Sequence, residues 1–126
     1  MLGELEKEIM DIMWNTKKPL TVRLVFELLK KKRKIAYTTV MTVMNRLVEK
    51  KILKRLTEGK AYVYKATYSK DKFLTRTSRQ IIRSFVSSFG ETAIAHFVEE
   101  VDKIPKEKRN RLLKMLKGAD KADAEI

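Results

Sequence analysis

Apolar residues recur at three- and four-residue steps along most of this chain, the spacing that lines one face of an α-helix. Only four Gly and two Pro occur in 126 residues, so few helix breakers interrupt these runs. A mainly helical fold is therefore expected. The predicted helices cover residues 1–15, 21–30, 37–50, 69–90, 91–101 and 105–117, with an exit at Gly118 and a frayed tail over 119–126.

The apolar period changes to two after the third helix. Ile52, Leu56 and Val63 alternate with charged residues on either side of a turn at Glu58-Gly59, which predicts a β-hairpin. The order of these elements, a helix, a helix-turn-helix and then a hairpin, is typical of a winged helix. The expected fold class is mainly α with a small β-hairpin. We predict a winged helix-turn-helix domain over 1–68 and a C-terminal helical dimerisation region over 69–126.

The charge of the chain favours a polyanionic partner. Lys and Arg number 29 against 16 Asp and Glu, which gives a net charge of +13. Residues 1–68 hold 16 of these cations and 7 acids, a net +9, so most of the excess coincides with the predicted winged helix. Double-stranded DNA is the expected partner, and an acidic membrane surface is the other candidate for such a charge.

The chain has few side chains suited to catalysis. It contains no Cys, which excludes thiolate metal sites and cysteine nucleophiles. It contains a single His, which leaves almost no side chain for His-based acid-base chemistry. We predict no enzyme activity, no cofactor and no metal. No apolar run approaches the roughly 20 residues of a membrane span, and a cytoplasmic protein without a membrane partner is expected.

The third helix is the predicted reading element. Thr38, Met41, Thr42 and Asn45 lie opposite its apolar stripe, where a recognition helix would meet base edges in the major groove. Asn pairs with adenine, and Thr and Met contact the thymine methyl group, so a site containing A·T pairs is our hypothesis. The alternative is an ordinary solvated face. The basic hairpin that follows favours DNA reading.

The hairpin is predicted to contact the DNA backbone. Lys54, Arg55 and Lys60 would reach phosphates or the adjacent minor groove. Alternatively, they are edge-strand charges that prevent aggregation. Tyr62 and Tyr64 are interpreted as packing residues rather than base-stacking platforms, because one of an alternating pair must face the helices.

Other backbone contacts are predicted around the first three helices. Thr21 and Arg23 begin the second helix, where free N–H groups favour a phosphate, although a plain N-cap role for Thr21 is equally compatible with the sequence. Thr39 and Arg46 flank the reading face, and Arg46 would make a phosphate contact, an intramolecular ion pair or a base contact. The cationic run at 30–34 either contacts the DNA backbone or lies on a connection that points away from the duplex.

The second half carries an apolar stripe that is too wide for one isolated helix. Such a stripe would be a large exposed patch on a monomer, so an obligate interface between two copies is expected. The predicted interface residues are Phe73, Leu74, Thr77, Ile81, Ile82, Phe85, Phe89, Phe97, Leu112 and Leu116. His96 lies beside this stripe without candidate metal partners, and is interpreted as structural.

The third helix and the start of the hairpin resemble a known family. The pattern Thr39, Val40, Thr42, Arg46 and Leu47, after a first helix that closes on a Trp and before a tyrosine-rich hairpin, resembles the penicillinase repressors of bacteria and archaea (the BlaI/MecI/CopY group). The resemblance covers nearly the whole chain. It implies a homodimeric winged-helix repressor whose first 68 or so residues bind operator DNA and whose remaining helices interlock the two subunits.

Two departures limit what the resemblance implies about regulation. Copper-responsive members carry a cysteine-rich tail, and the absence of Cys disfavours copper sensing here. Antibiotic-resistance repressors are inactivated by cleavage of an Asn-Phe bond in the dimerisation arm, and this chain has His96-Phe97 at the corresponding place. A regulatory protease is therefore an additional partner that the resemblance suggests.

The predicted function is sequence-specific transcriptional repression by a homodimer on a pseudo-palindromic operator, with half-sites about 10 bp apart. The high Lys content also suits a non-specific architectural protein that coats DNA. A winged-helix adaptor for an acidic protein is a third possibility. Salt-dependent binding without sequence preference would mark the architectural protein, and absence of tight duplex binding would mark the adaptor.

Overall fold

The computed structural model describes the backbone of residues 2–124 and the side chains of residues 2–117. Its elements follow in the order α1 (Glu4–Thr16), α2 (Val22–Lys30), α3 (Tyr37–Glu49), β1 (Leu53–Glu58), β2 (Ala61–Ala66), α4 (Lys70–Phe89), α5 (Glu91–Asp102) and α6 (Lys106–Ala124). The predicted fold class is confirmed: a mainly helical chain with one hairpin after a helix-turn-helix. The chain divides into two compact units, Met1–Ser69 and Lys70–Ile126.

The first unit has a hydrophobic core built from the inward faces of α1, α2 and α3 and closed by the hairpin. The predicted apolar stripe of α3 is confirmed, because Val40, Val43, Met44 and Leu47 are all buried. The core comprises Ile9, Met10, Met13, Leu20, Val22, Val25, Leu29, Val40, Val43, Met44, Leu47, Leu53 and Tyr64. Burial of these side chains supplies most of the driving force for folding this unit.

The predicted start of the hairpin at Ile52 is wrong by one residue. The N–H of Ile52 donates to the carbonyl of Leu47 at 3.0 Å, and the N–H of Lys51 donates to the carbonyl of Val48 at 2.9 Å. With Lys51 at a φ of 65°, these bonds form a Schellman motif that ends α3. Ile52 therefore belongs to the helix end, and β1 begins at Leu53, which is buried.

The hairpin register sorts its side chains into two faces. Arg55 pairs with Tyr64 on one face, and Leu56 pairs with Val63 on the other. Tyr64 belongs to the core and Val63 is also buried, whereas Leu56 is exposed. Leu20 exchanges two backbone hydrogen bonds with Tyr64, at 2.9 and 2.7 Å, and thereby fixes β2 to the segment between α1 and α2.

An ion pair between a buried carboxylate and an exposed lysine joins α1 to the end of α3. Glu6 is 8% exposed, and the Lys50 ammonium donates to its carboxylate at 2.9 Å. The N–H of Gly3 donates to the same carboxylate at 3.1 Å. Burial opposes ionisation, but the Lys50 and Gly3 hydrogen bonds, together with the charge of Arg46, outweigh it and lower the pKa of Glu6.

The second unit buries very little. Among its described side chains, residues 70–117, Ala93 alone is buried. The predicted end of the last helix at Gly118 is wrong, because α6 continues through Gly118 to Ala124. Glycine lowers helix stability by about 1 kcal/mol relative to alanine but does not by itself end a helix. Of the predicted frayed tail over 119–126, residues 125 and 126 lie outside the described residues.

Candidate nucleic-acid interface

The outward face of α3 carries the four side chains predicted to read bases. Thr38, Met41 and Thr42 are exposed, and Asn45 is half-buried. The Thr42 hydroxyl donates to the backbone carbonyl of Thr38 at 2.9 Å. This bond uses the hydroxyl proton within the helix, so Thr42 offers its methyl group and an acceptor oxygen to a ligand.

Asn45 is joined to the hairpin by a hydrogen bond that the sequence did not predict. The hydroxyl of Tyr64 donates to Oδ1 of Asn45 at 3.0 Å. The Tyr64 ring is buried, which agrees with its interpretation as a packing residue, but Tyr62 is 57% exposed and lies outside the core, so the same interpretation is wrong for Tyr62. No periodicity could reveal the bond, because it connects two elements 19 residues apart.

Arg23 is held beside the start of α3 by aromatic rings. Its guanidinium lies 4.9 Å from the ring centroid of Tyr37, the first residue of α3, and 5.9 Å from that of Phe26. Glu27 lies 3.7 Å from the same guanidinium. Thr21 acts as the N-cap of α2, since its side chain accepts from the N–H of Leu24 at 3.1 Å. The start of α2 therefore places a cation next to the first residue of α3, and the Thr21 cap satisfies one of the N–H groups of α2.

Arg46 and Thr39 lie on the exposed flank of α3. Arg46 is close enough to Glu6 for its charge to help lower the pKa of that carboxyl. Within the part of the chain that the structure describes, Arg46 therefore acts on Glu6 through its charge, without the ion pair that was one of its predicted roles. Because Arg46 is also exposed, it can contact a phosphate from the same position.

The hairpin separates the cations that were predicted to act together. Arg55 shares a face with Tyr64, and its guanidinium lies 4.6 Å from the ring centroid of Tyr62. Lys54 lies on the other face, directly opposite Lys65. Exposed Lys60 lies in the turn together with Gly59, whose φ of 62° favours glycine. Only Arg55 of this predicted set is thus on the face that also contacts α3.

The cationic run at 30–34 interacts in part with the protein itself. Arg33 forms a 3.0 Å ion pair with Glu8 on α1. Lys30 lies 3.8 Å from Glu27 and 5.7 Å from the ring of Phe26. All five residues of the run are exposed, so these contacts reduce its cationic charge without removing it from solvent.

The residues predicted for a dimer interface lie uncovered in the second unit. Eight of the ten are between 39% and 67% exposed, and Phe73 and Thr77 are half-buried. The rings of Phe85 and Phe89 lie 5.2 Å apart on α4. The exposed eight are Leu74, Ile81, Ile82, Phe85, Phe89, Phe97, Leu112 and Leu116.

The chain is similar to known proteins over most of its length. The family model described as penicillinase repressor matches residues 2–118. This chain belongs to the penicillinase repressor family. Transcriptional regulator BlaI from two strains of Mycobacterium tuberculosis is 34% identical over 124 residues, which cover 98% of this chain and 78% of the relative.

Two solved structures also align with this penicillinase repressor family member. A Lactococcus lactis ZitR variant aligns at a TM-score of 0.48 with 15% identity, covering 97% of this chain and 75% of that one. A chain of the Giardia lamblia Hop2-Mnd1 complex aligns at 0.45 with 17% identity, covering 97% and 78%.

The penicillinase repressors are transcriptional regulators, in keeping with the prediction of a non-enzyme. Within the described residues, no group of three His, Cys, Asp or Glu side chains is arranged to hold a metal ion. None of the helices in the same part of the chain combines the length and the hydropathy that a membrane span requires. The exposed His96-Phe97 bond lies inside α5, so a protease would need this helix to open locally before cleavage.

Proposed function

We propose that this chain is a dimeric transcriptional repressor that binds operator DNA through α3 and the β1–β2 hairpin. The observation that carries this proposal is the setting of the exposed face of α3. Arg23 stacks on Tyr37 at the N-terminal end of the helix, and Arg55 lies beside Tyr62 on the hairpin face that contacts Asn45 through Tyr64. Cations on both sides of a polar helix suit a duplex whose phosphates border the groove.

The reading and backbone-contacting residues have different proposed roles. Thr38, Met41, Thr42 and Asn45 face base edges in the major groove, where each base pair presents a distinct pattern. The surrounding residues bind phosphates and set the position of the helix. This backbone-contacting set is Thr21, Arg23, Thr39, Arg46, Lys54, Arg55 and Lys60.

The second unit supplies the dimer. The 20 residues of α4 include no buried side chain, so this helix leaves its apolar face to a second copy. Two recognition helices related by a dyad then match half-sites separated by about one turn of DNA, roughly 10 bp. Repression follows from occupation of the promoter, which needs no catalytic group.

The experiment is a selection of duplexes from a random library, followed by fluorescence-anisotropy titration at about 0.15 M salt. A repressor is expected to enrich a two-fold symmetric sequence and to bind it about 10³-fold more tightly than a scrambled duplex of equal length. Sedimentation of the free protein should give a dimer.

A second candidate is an architectural protein that coats DNA without choosing a sequence. The net charge of +13 favours this function. It predicts that the selection enriches no sequence and that scrambled and selected duplexes bind alike, with the same dependence on salt. The two functions are therefore separated by one titration.

A further inference from the structure

We propose that Tyr64 positions the side chain of Asn45 so that it acts as a hydrogen-bond donor toward base edges. The operator position facing Asn45 would then select a base with an acceptor edge and reject cytosine. This inference deepens the proposed function and rests on it, because it takes Asn45 as a residue that faces the major groove.

Tyr64 is held firmly enough to direct another side chain. It is 3% exposed, and its ring packs in the core of the first unit. Its backbone N–H and carbonyl both bond to Leu20, at 2.7 and 2.9 Å. With ring and backbone fixed, the hydroxyl has a defined place, 3.0 Å from Oδ1 of Asn45.

The Tyr64 hydrogen bond decides which end of the Asn45 amide is offered to DNA. The oxygen and nitrogen of a carboxamide point away from each other, so an oxygen bonded to a buried phenol leaves the NH₂ group directed away from the core. Asn45 is half-buried, so part of the residue remains accessible to a ligand. The side chain can therefore donate to a base more readily than it can accept from one.

If Asn45 acts mainly as a hydrogen-bond donor, the base preference differs from the one expected from the sequence. Pairing of Asn with adenine uses both the amide oxygen and the nitrogen, and the Tyr64 hydroxyl already occupies one of the two lone pairs of the Asn45 oxygen and restrains its direction. Guanine presents two acceptors in the major groove, thymine presents one, and cytosine presents only a donor. Guanine or thymine should therefore be favoured at this position, adenine accepted through its N7 alone, and cytosine rejected.

The test begins with the operator obtained from a random duplex library and uses the full chain. Single-base variants of this operator are titrated with the protein and with Asn45→Ala, and the position whose base preference disappears is the one that Asn45 reads. At that position Tyr64→Phe should lower the discrimination against cytosine about 5-fold, the factor that one neutral hydrogen bond represents. Its affinity for random DNA and its salt dependence should not change.

Two further variants separate positioning from packing. Tyr62→Phe removes a hydroxyl from the same strand face, and should leave every base preference as it was. Asn45→Asp replaces the donating NH₂ group with an acceptor, and should shift the preference toward cytosine, whose N4 donates. Thermal unfolding checks that each variant remains folded. Tyr64→Phe is expected to fold because it keeps the buried ring.

Each outcome supports or overturns the inference. Rejection of cytosine that weakens in Tyr64→Phe and reverses in Asn45→Asp supports it. The inference is overturned if the unaltered protein prefers cytosine or if Asn45→Ala changes no base preference. It is also overturned if Tyr64→Phe leaves the discrimination unchanged or loses affinity equally for all four bases. A selection that enriches no sequence overturns the proposed function itself, and is thus distinguishable from failure of the inference alone.

Discussion

Replacing Phe85 with Asp should dissociate the proposed dimer. Phe85 is 49% exposed on α4. A phenylalanine side chain buries on the order of 200 Å² when fully enclosed, so about 100 Å² per copy, or about 200 Å² in a symmetric pair, remains to be covered. At about 25 cal/mol per Å² this area is worth about 5 kcal/mol, or between 10³- and 10⁴-fold in the dimer dissociation constant. The introduced charge adds to the loss.

Sedimentation equilibrium over a concentration series measures this change. Ser87→Asp is the matched control, because it adds the same charge two residues away, on the side of α4 opposite Phe85. It should leave the dimer intact. On DNA, Phe85→Asp should lose affinity for a duplex with two half-sites but keep its affinity for one half-site, because the first unit has its own core.

Two results would refute this reasoning. An unchanged dimer in Phe85→Asp would show that the exposed α4 stripe is not the contact between subunits. Equal dissociation by Phe85→Asp and Ser87→Asp would show that the effect comes from added charge on α4 rather than from loss of apolar area at one face.

Three further predictions concern the first unit. Thr42→Ala should cost about 1–3 kcal/mol on the operator alone, whereas Lys60→Ala should weaken all duplexes alike and reduce the salt slope by about 1, as measured by anisotropy titrations at several salt concentrations. Because the pKa of Glu6 is lowered in the folded protein, its ion pair with Lys50 stabilises the fold at neutral pH and is lost as pH falls through that pKa. Glu6→Gln should therefore reduce the free energy of unfolding by about 1–2 kcal/mol at pH 7, and the difference should close in acid in urea unfolding series. Lys51→Gly should raise the free energy of unfolding by about 1 kcal/mol in the same assay, since a φ of 65° strains any residue with a Cβ; an unchanged or lower value would contradict that reasoning.

The sequence predicted the elements whose signals are local. The α3 stripe of Val40, Val43, Met44 and Leu47 follows from periodicity, because buried positions on one helix repeat along the chain. The hairpin start was missed because a lysine, rather than the usual glycine, adopts the left-handed conformation that ends α3. The end of the last helix was wrongly predicted at Gly118, because this glycine lies within α6 instead of at its end.

The candidate site was predictable as a list of residues but not as a set of contacts. Thr38, Met41 and Thr42 are exposed on α3, as helical geometry requires. The Asn45 bond to Tyr64 and the stacking of Arg23 on Tyr37 join different elements, and nothing in the spacing of these residues indicates them. The separation of Lys54 from Arg55 depends on a strand register that one sequence fixes only loosely.

Three of the tyrosines in the first unit share one relation to the proposed DNA surface. Tyr37 stacks with Arg23, Tyr62 lies against Arg55, and Tyr64 bonds Asn45. Each tyrosine thus restrains a side chain that would otherwise sample many rotamers, and ordering such a side chain on binding costs about 0.5–1.5 kcal/mol. The two arginines would contact phosphates, so restraining them in advance lowers the cost of binding any duplex. Restraining Asn45 lowers the cost only for duplexes that carry particular bases. Substitutions at Tyr37 or Tyr62 should accordingly weaken affinity for all duplexes, whereas substitution at Tyr64 should change which operator is chosen.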